Sequence, residues 1–227
     1  MRTTAVMAGL MLLAGAIAAL ATDLEDARLI KNVYDEAPAG DGWRAIPVGE
    51  LNGKGVDTDL MKRGDRWRGE VYERKNDIVL AWAGNLGGDE GLVVAQEIGI
   101  PMPEFVQAAE VARQVVKAYP DRNVSFAGHS MGGAFAAAAA YATGKDAVLF
   151  NAQGLHPDTV AAINGPGPGK MRHYHVAFEY ATMVQSLIPF FPRAQGLQIP
   201  LPNLGWDPMF AHNIEQVIAA MEAQSIP

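Results

Sequence analysis

The chain has 227 residues, of which 49% are hydrophobic and 19% charged; this suffices for one domain with a sizeable core and excludes disorder over the whole chain. A formal charge of −7 and a pI near 5.2 exclude a binder of nucleic acid or anionic membrane that works through bulk positive charge. The chain has no cysteine, which excludes disulfide frameworks, thiolate metal sites and cysteine nucleophiles.

The first stretch differs from the rest. Arg2 is the only charge before Asp23, Ala5 to Leu20 is apolar, and Ala19-Leu20-Ala21 places small residues where a signal peptidase reads. A basic start, an apolar run and an A-x-A site predict a signal peptide over residues 1–21 and one domain over 22–227. The expected destination is periplasmic or extracellular, with an uncleaved membrane anchor as the alternative.

Leu24 to Tyr34 reads as a helix, ended by Pro38, Gly40 and Gly42. Trp67 to Arg74 reads as a strand that turns at Asn76-Asp77 into Ile78 to Trp82, a run apolar on both faces as in an interior strand. A glycine-marked loop follows, then a helix from Pro103 to Ala118. Next come a strand from Asn123 to Ala127, an alanine-rich helix from Gly132 to Ala142, a strand from Ala147 to Asn151 and a helix from Asp158 to Ile163. Tyr174 to Phe178 reads as another strand, followed by a proline-rich apolar stretch to Pro208 and a last helix from Asn213 to Ala223. This alternation predicts an α/β fold with a mostly parallel central sheet covered by helices on both faces.

Gly128-His129-Ser130-Met131-Gly132 is a G-x-S-x-G sequence set between a strand and a helix. A serine on so sharp a turn leaves no room for side chains two residues away on either side, hence the glycines. The turn presents the Ser130 hydroxyl, and the following helix aims its amides, Met131 first, at a developing oxyanion. A serine needs a base. His129 lies inside the turn and reads as a shaping residue, His156 follows a strand, and His173 and His175 read as structural. His212 lies in a loop before the last helix, where this class of fold keeps its base. The acid must fall between Ser130 and His212 in the chain. Asp146 lies at the wrong end of its strand; Glu179, after Tyr174–Phe178, is preferred, with Asp207 and Asp158 as alternatives. Gly165 to Lys170 lacks the spacing and the final hydroxyl residue of a phosphate loop. His173 and His175 lack a carboxylate partner for a metal, and the chemistry requires no metal and no cofactor.

A strand, Trp82-Ala83-Gly84-Asn85, a helix, Gly128-His129-Ser130-Met131-Gly132-Gly133 and a strand ending in Phe150-Asn151 together resemble the class 3 lipase family of α/β-hydrolases. The resemblance runs from about Val71 to Ala223. Within that family the chain is similar to bacterial lipase-like proteins, some of them phospholipase toxins. The resemblance implies that the amide of Asn85 joins that of Met131 in an oxyanion hole. Ala83 stands where the family usually has arginine, Asn85 where it has a hydroxyl residue, and Phe178 where glycine precedes the acid.

The resulting expectation is a serine hydrolase of lipid acyl esters that uses Ser130, His212 and Glu179. The alternatives are an esterase of soluble or polysaccharide-linked esters and a non-catalytic binder with this fold. Leu92, Val93, Val94, Ile98, Ile100 and Met102 compose an expected apolar flap. Ile188, Phe190, Phe191, Leu197, Ile199 and Leu201 add to an apolar patch that would meet a membrane surface transiently. No nucleic-acid partner is expected, and the sequence leaves the oligomeric state open.

Overall fold

The computed structural model describes residues 21–64, 66–87, 94–95, 97–100 and 102–227. The predicted signal peptide, Ala21 apart, and Leu92 and Val93 of the expected flap lie outside the described residues.

One seven-stranded sheet organises the chain, with its strands in sequence order: β1 (Arg44–Ala45), β2 (Gly69–Arg74), β3 (Asp77–Trp82), β4 (Asn123–His129), β5 (Ala147–Phe150), β6 (Met171–Val176) and β7 (Leu197–Leu201). The first three run antiparallel and β3 through β7 run parallel. Every residue of β3 is buried. Ile78, Leu80 and Trp82 enter one core, while Val79 and Ala81 enter the other, as the period of two requires.

The helices are α1 (Asp23–Asp35), α2 (Val48–Gly53), α3 (Pro103–Ala118), α4 (Met131–Thr143), α5 (Pro157–Ile163), α6 (Tyr180–Leu187), α7 (Pro208–Ala211) and α8 (Ile214–Ala223). Parallel strands in sequential order, joined by right-handed crossovers, put the crossover helices on one face. Accordingly α3, α4 and α5 pack together on one side, while α1 and α8 pair across the other. Alanine lets this work: residues 131–140 of α4 are all buried, and side chains that small bring the helix close to both the sheet and α3.

Two expectations need correction. The strand expected over Tyr174–Phe178 is Met171–Val176, because Met171 to Tyr174 pair with Ala147 to Phe150 and Ala177 leaves the sheet. The stretch up to Pro208 holds a helix, α6, and the edge strand β7, whose Pro200 an edge position tolerates. Leu201 therefore belongs to the core and Ile199 packs against it, so neither joins the expected surface patch.

Candidate active site

The five parallel strands, β3 to β7, end on the same rim, and the turns and loops that leave them build the site. Ser130 comes directly after β4 and caps α4 with φ 56° and ψ −125°, a conformation that costs a non-glycine residue about 1–3 kcal/mol. The flanking glycines make it attainable. A Cβ on Gly128 would lie 2.0 Å from the Gly132 carbonyl oxygen, and one on Gly132 would lie 2.4 Å from that of Ala83.

Glu179 comes after β6 and a two-residue turn, and is fully buried. Phe178 in that turn has φ +62°, which explains why a glycine would suit the position. As N-cap of α6, Glu179 accepts from the amides of Ala181 at 2.8 Å and Thr182 at 2.5 Å. His212 lies just past the short helix α7. Its Nδ1 lies 2.6 Å from Glu179 Oε2 and its Nε2 lies 2.9 Å from Ser130 Oγ. Burial works to raise the Glu179 carboxyl, but the bonds to His212 and Thr182 outweigh it and hold the group below the usual range. A carboxylate on Nδ1–H leaves Nε2 free to accept from the Ser130 hydroxyl, so the arrangement can move a proton from serine to imidazole and stabilise the imidazolium.

The other candidates fall elsewhere. Asp207 caps α7 through the amides of Met209 and Phe210, Asp158 lies 3.6 Å from His156, and Asp146 accepts from the Lys170 amide. His156 caps α5 through the Asp158 amide. His173 is buried, with Nε2 accepting from the Ala152 amide and Nδ1 beside Gln198 Oε1; burial lowers its pKa to about 4. His129 is buried inside the turn, and burial, with the nearby His212, lowers its pKa to about 3.

Two cavities meet at Ser130 and Asn85. One, of about 360 Å³, is walled by Val94, Met131, Val184 and Phe191. The other, of about 350 Å³, is polar and bordered by Tyr34, Asp35, His129, His212 and Glu215. Asn85, which borders both cavities, accepts the Gly87 amide on its side-chain oxygen at 2.9 Å. A further cavity, of about 320 Å³, lies at the opposite ends of the strands among Asp26, Asp77, Arg122 and Arg172. Among the described residues no cluster of histidine and carboxylate side chains suits a metal ion.

Three residues of the site escaped sequence reasoning. Asn151, fully buried at φ +41°, donates to the carbonyls of Ala211 and His212 and accepts from the Val176 amide. It thereby ties the His212 loop to the strand ends; an asparagine directly after a strand, tolerant of positive φ, was the available signal. Glu97 borders the apolar cavity, buried, with Oε2 unpartnered, and burial raises its pKa to about 7 against a bond from Gln153. Tyr34 reaches in from α1, far away in sequence.

A mostly parallel sheet with a serine on the strand-to-helix turn, succeeded along the chain by a buried carboxylate and a loop histidine, defines a lipase-like α/β-hydrolase. The model of the Tle-like phospholipase domain matches residues 25–221, and the chain belongs to that family, whose members are lipid ester hydrolases. It is 31% identical to the extracellular phospholipase A1 of Serratia liquefaciens over 87% of this chain and 70% of that protein. In fold it is similar to a triacylglycerol lipase from Penicillium expansum, with a TM-score of 0.56, 14% identity and 82% of each chain covered.

Proposed function

We propose that the protein hydrolyses acyl esters of phospholipids outside the cytoplasm, with Ser130 as nucleophile, His212 as base and Glu179 as the acid that orients it. The observation that carries this is the continuous chain from Ser130 Oγ through the His212 imidazole to Glu179 Oε2, with links of 2.9 Å and 2.6 Å. His212 takes the hydroxyl proton as Oγ bonds to the ester carbonyl carbon. The amides of Met131 and Asn85 stabilise the oxyanion. As the carbonyl re-forms, the C–O bond to the alcohol breaks and His212 returns the proton to the departing oxygen. Water then attacks the acyl-enzyme with His212 again as base, releasing the fatty acid and restoring Ser130.

The substrate class rests on the similarity to an extracellular phospholipase A1 and on the apolar surface around the site. Phe178, Leu187, Phe190, Trp206, Met209 and Phe210 are exposed on the segments that flank Glu179 and His212. Six large apolar groups at one rim favour an interface over dissolved ester, and the acidic chain would meet it by apolar contact. Among the described residues no helix is long and apolar enough to cross a membrane. Export uses residues 1–21 as a cleaved signal, leaving 22–227 as the hydrolase domain; this reading rests on the A-x-A site and on the extracellular relative.

The test is hydrolysis of a short-chain phospholipid below and above its aggregation concentration, with Ser130→Ala as control. The rate should climb when micelles appear. A rate that saturates with monomer and ignores micelles favours the soluble-ester reading. No hydrolysis of any ester by folded protein favours the binder.

A further inference from the structure

One run of hydrogen bonds crosses the site without touching the reacting atoms. The Gly84 amide lies 2.6 Å from Tyr34 Oη. Tyr34 Oη lies 2.7 Å from His129 Nδ1, and His129 Nε2 lies 2.6 Å from the carbonyl oxygen of His212. Chemistry fixes the directions. A carbonyl only accepts, so His129 carries its proton on Nε2 and Nδ1 accepts from the Tyr34 hydroxyl. That hydroxyl in turn accepts the Gly84 N–H. Every group has a partner, and burial keeps the imidazole neutral.

The two ends matter for what they adjoin. Gly84 directly precedes Asn85, whose amide is one oxyanion donor, and His212 is the base. Space is tight at the first end: a Cβ on Gly84 would lie 2.7 Å from Tyr34 Oη and 2.8 Å from the Ser130 Cβ. We propose that Tyr34 and His129 are positioning residues, forming a hydrogen-bonded clamp from α1 that fixes the oxyanion amide of Asn85 and the base His212 at their working separation around Ser130. This rests on the reading that Ser130 and His212 carry the reaction with the Asn85 amide as an oxyanion donor. Geometry set to a fraction of an ångström is worth about 10²-fold in rate per ångström lost, and one oxyanion donor about 10²–10³-fold. A clamp acting through both should act on kcat and leave substrate affinity alone.

The experiment compares Tyr34→Phe, His129→Gln and His129→Leu with wild type. Active sites are counted by fluorophosphonate titration, so misfolded protein drops out of the rate. Tyr34→Phe should lower kcat per titrated site by about 10–100-fold with KM unchanged, and should weaken a boronic acid transition-state analogue by the same factor. Glutamine at 129 can accept from Tyr34 and donate to His212, so it should recover most of the activity that leucine loses. Unchanged kcat per site in Tyr34→Phe, or a loss confined to KM or to the number of titratable sites, overturns the proposal. A second measurement is independent of turnover: the ¹⁵N shifts of the His129 ring should report an Nε2–H tautomer that does not titrate between about pH 5 and 9, well above its lowered pKa. An Nδ1–H tautomer, or titration in that range, also overturns the clamp. A wild-type protein that fails to label, yet shows the predicted His129 tautomer, would refute the hydrolase assignment of Ser130 and with it the positioning role, leaving only the hydrogen-bonded run from Gly84 to His212.

Discussion

Glu179 Oε2 accepts from two donors at once, the Ala181 amide at 2.8 Å and His212 Nδ1 at 2.6 Å. The carboxylate bonded to the imidazole is therefore also the N-cap of α6. Glu179→Gln should lower kcat by roughly 10²–10⁴-fold, less than removal of the serine, and should cost about 1 kcal/mol through the weakened cap. The pH sign is set by the lowered carboxyl. A carboxyl held below its unfolded value adds stability above that value and loses it as pH falls through the folded one. In urea titrations, the stability gap between wild type and Glu179→Gln should be full at neutral pH and shrink below about pH 4.

His212→Ala should match Ser130→Ala, each losing about 10⁴–10⁶-fold in kcat, because such groups act as a unit. His173→Ala should unfold more easily by about 1–3 kcal/mol, since it strands the Ala152 amide, yet keep near-normal activity per folded molecule. Asp207→Asn should be mild. Rate assays normalised to folded protein decide this; a severe loss in Asp207→Asn would move the acid role.

Phe178 combines a left-handed backbone with 73% exposure of its ring. Phe178→Gly removes backbone strain of about 1–3 kcal/mol and adds chain entropy of about 1 kcal/mol, so thermal unfolding should stay near wild type or rise slightly. Binding to zwitterionic vesicles should weaken about tenfold or more, in keeping with a buried phenylalanine worth about 1.5–3 kcal/mol. Unchanged vesicle binding would mean that the ring does not meet lipid.

Asp26 is buried in α1 with Oδ1 unpartnered. Burial, aided by the nearby Asp23, pushes its carboxyl well up despite Arg172. A raised carboxyl gives its full contribution below the unfolded pKa and loses it as pH rises through the folded value. Asp26→Asn should therefore stabilise the protein, by about 1–3 kcal/mol, more at pH 8 than at pH 4. Destabilisation at pH 8 would show that the ionised form has a partner.

Much of the fold was legible where periodicity was strong. The helix expected over Pro103–Ala118 has those bounds in the structure, and the two-faced run at β3 lies inside the sheet. The proline-rich stretch misled because β7 carries Pro200 at an edge, and because α6, with only Gln185 buried, turns its apolar residues to the cavity and to solvent instead of to the core. Ser130 was legible because a local turn imposes its glycines. His212 and Glu179 are the candidates that chain order and loop position single out, and the structure brings them within hydrogen-bond distance of each other. Tyr34 was not: its contact with Gly84 spans 50 residues, and no local pattern on α1 points toward a rim built by other strands.

Whether Ser130 is an activated nucleophile is tested most directly by intact-mass and peptide analysis after brief exposure to a fluorophosphonate. One adduct per molecule is expected, on Ser130, formed within minutes by wild type and by Asp207→Asn, and absent from Ser130→Ala and His212→Ala. Folded wild-type protein that stays unmodified, or carries the adduct on Ser125, Ser186 or Ser225, would contradict the assignment.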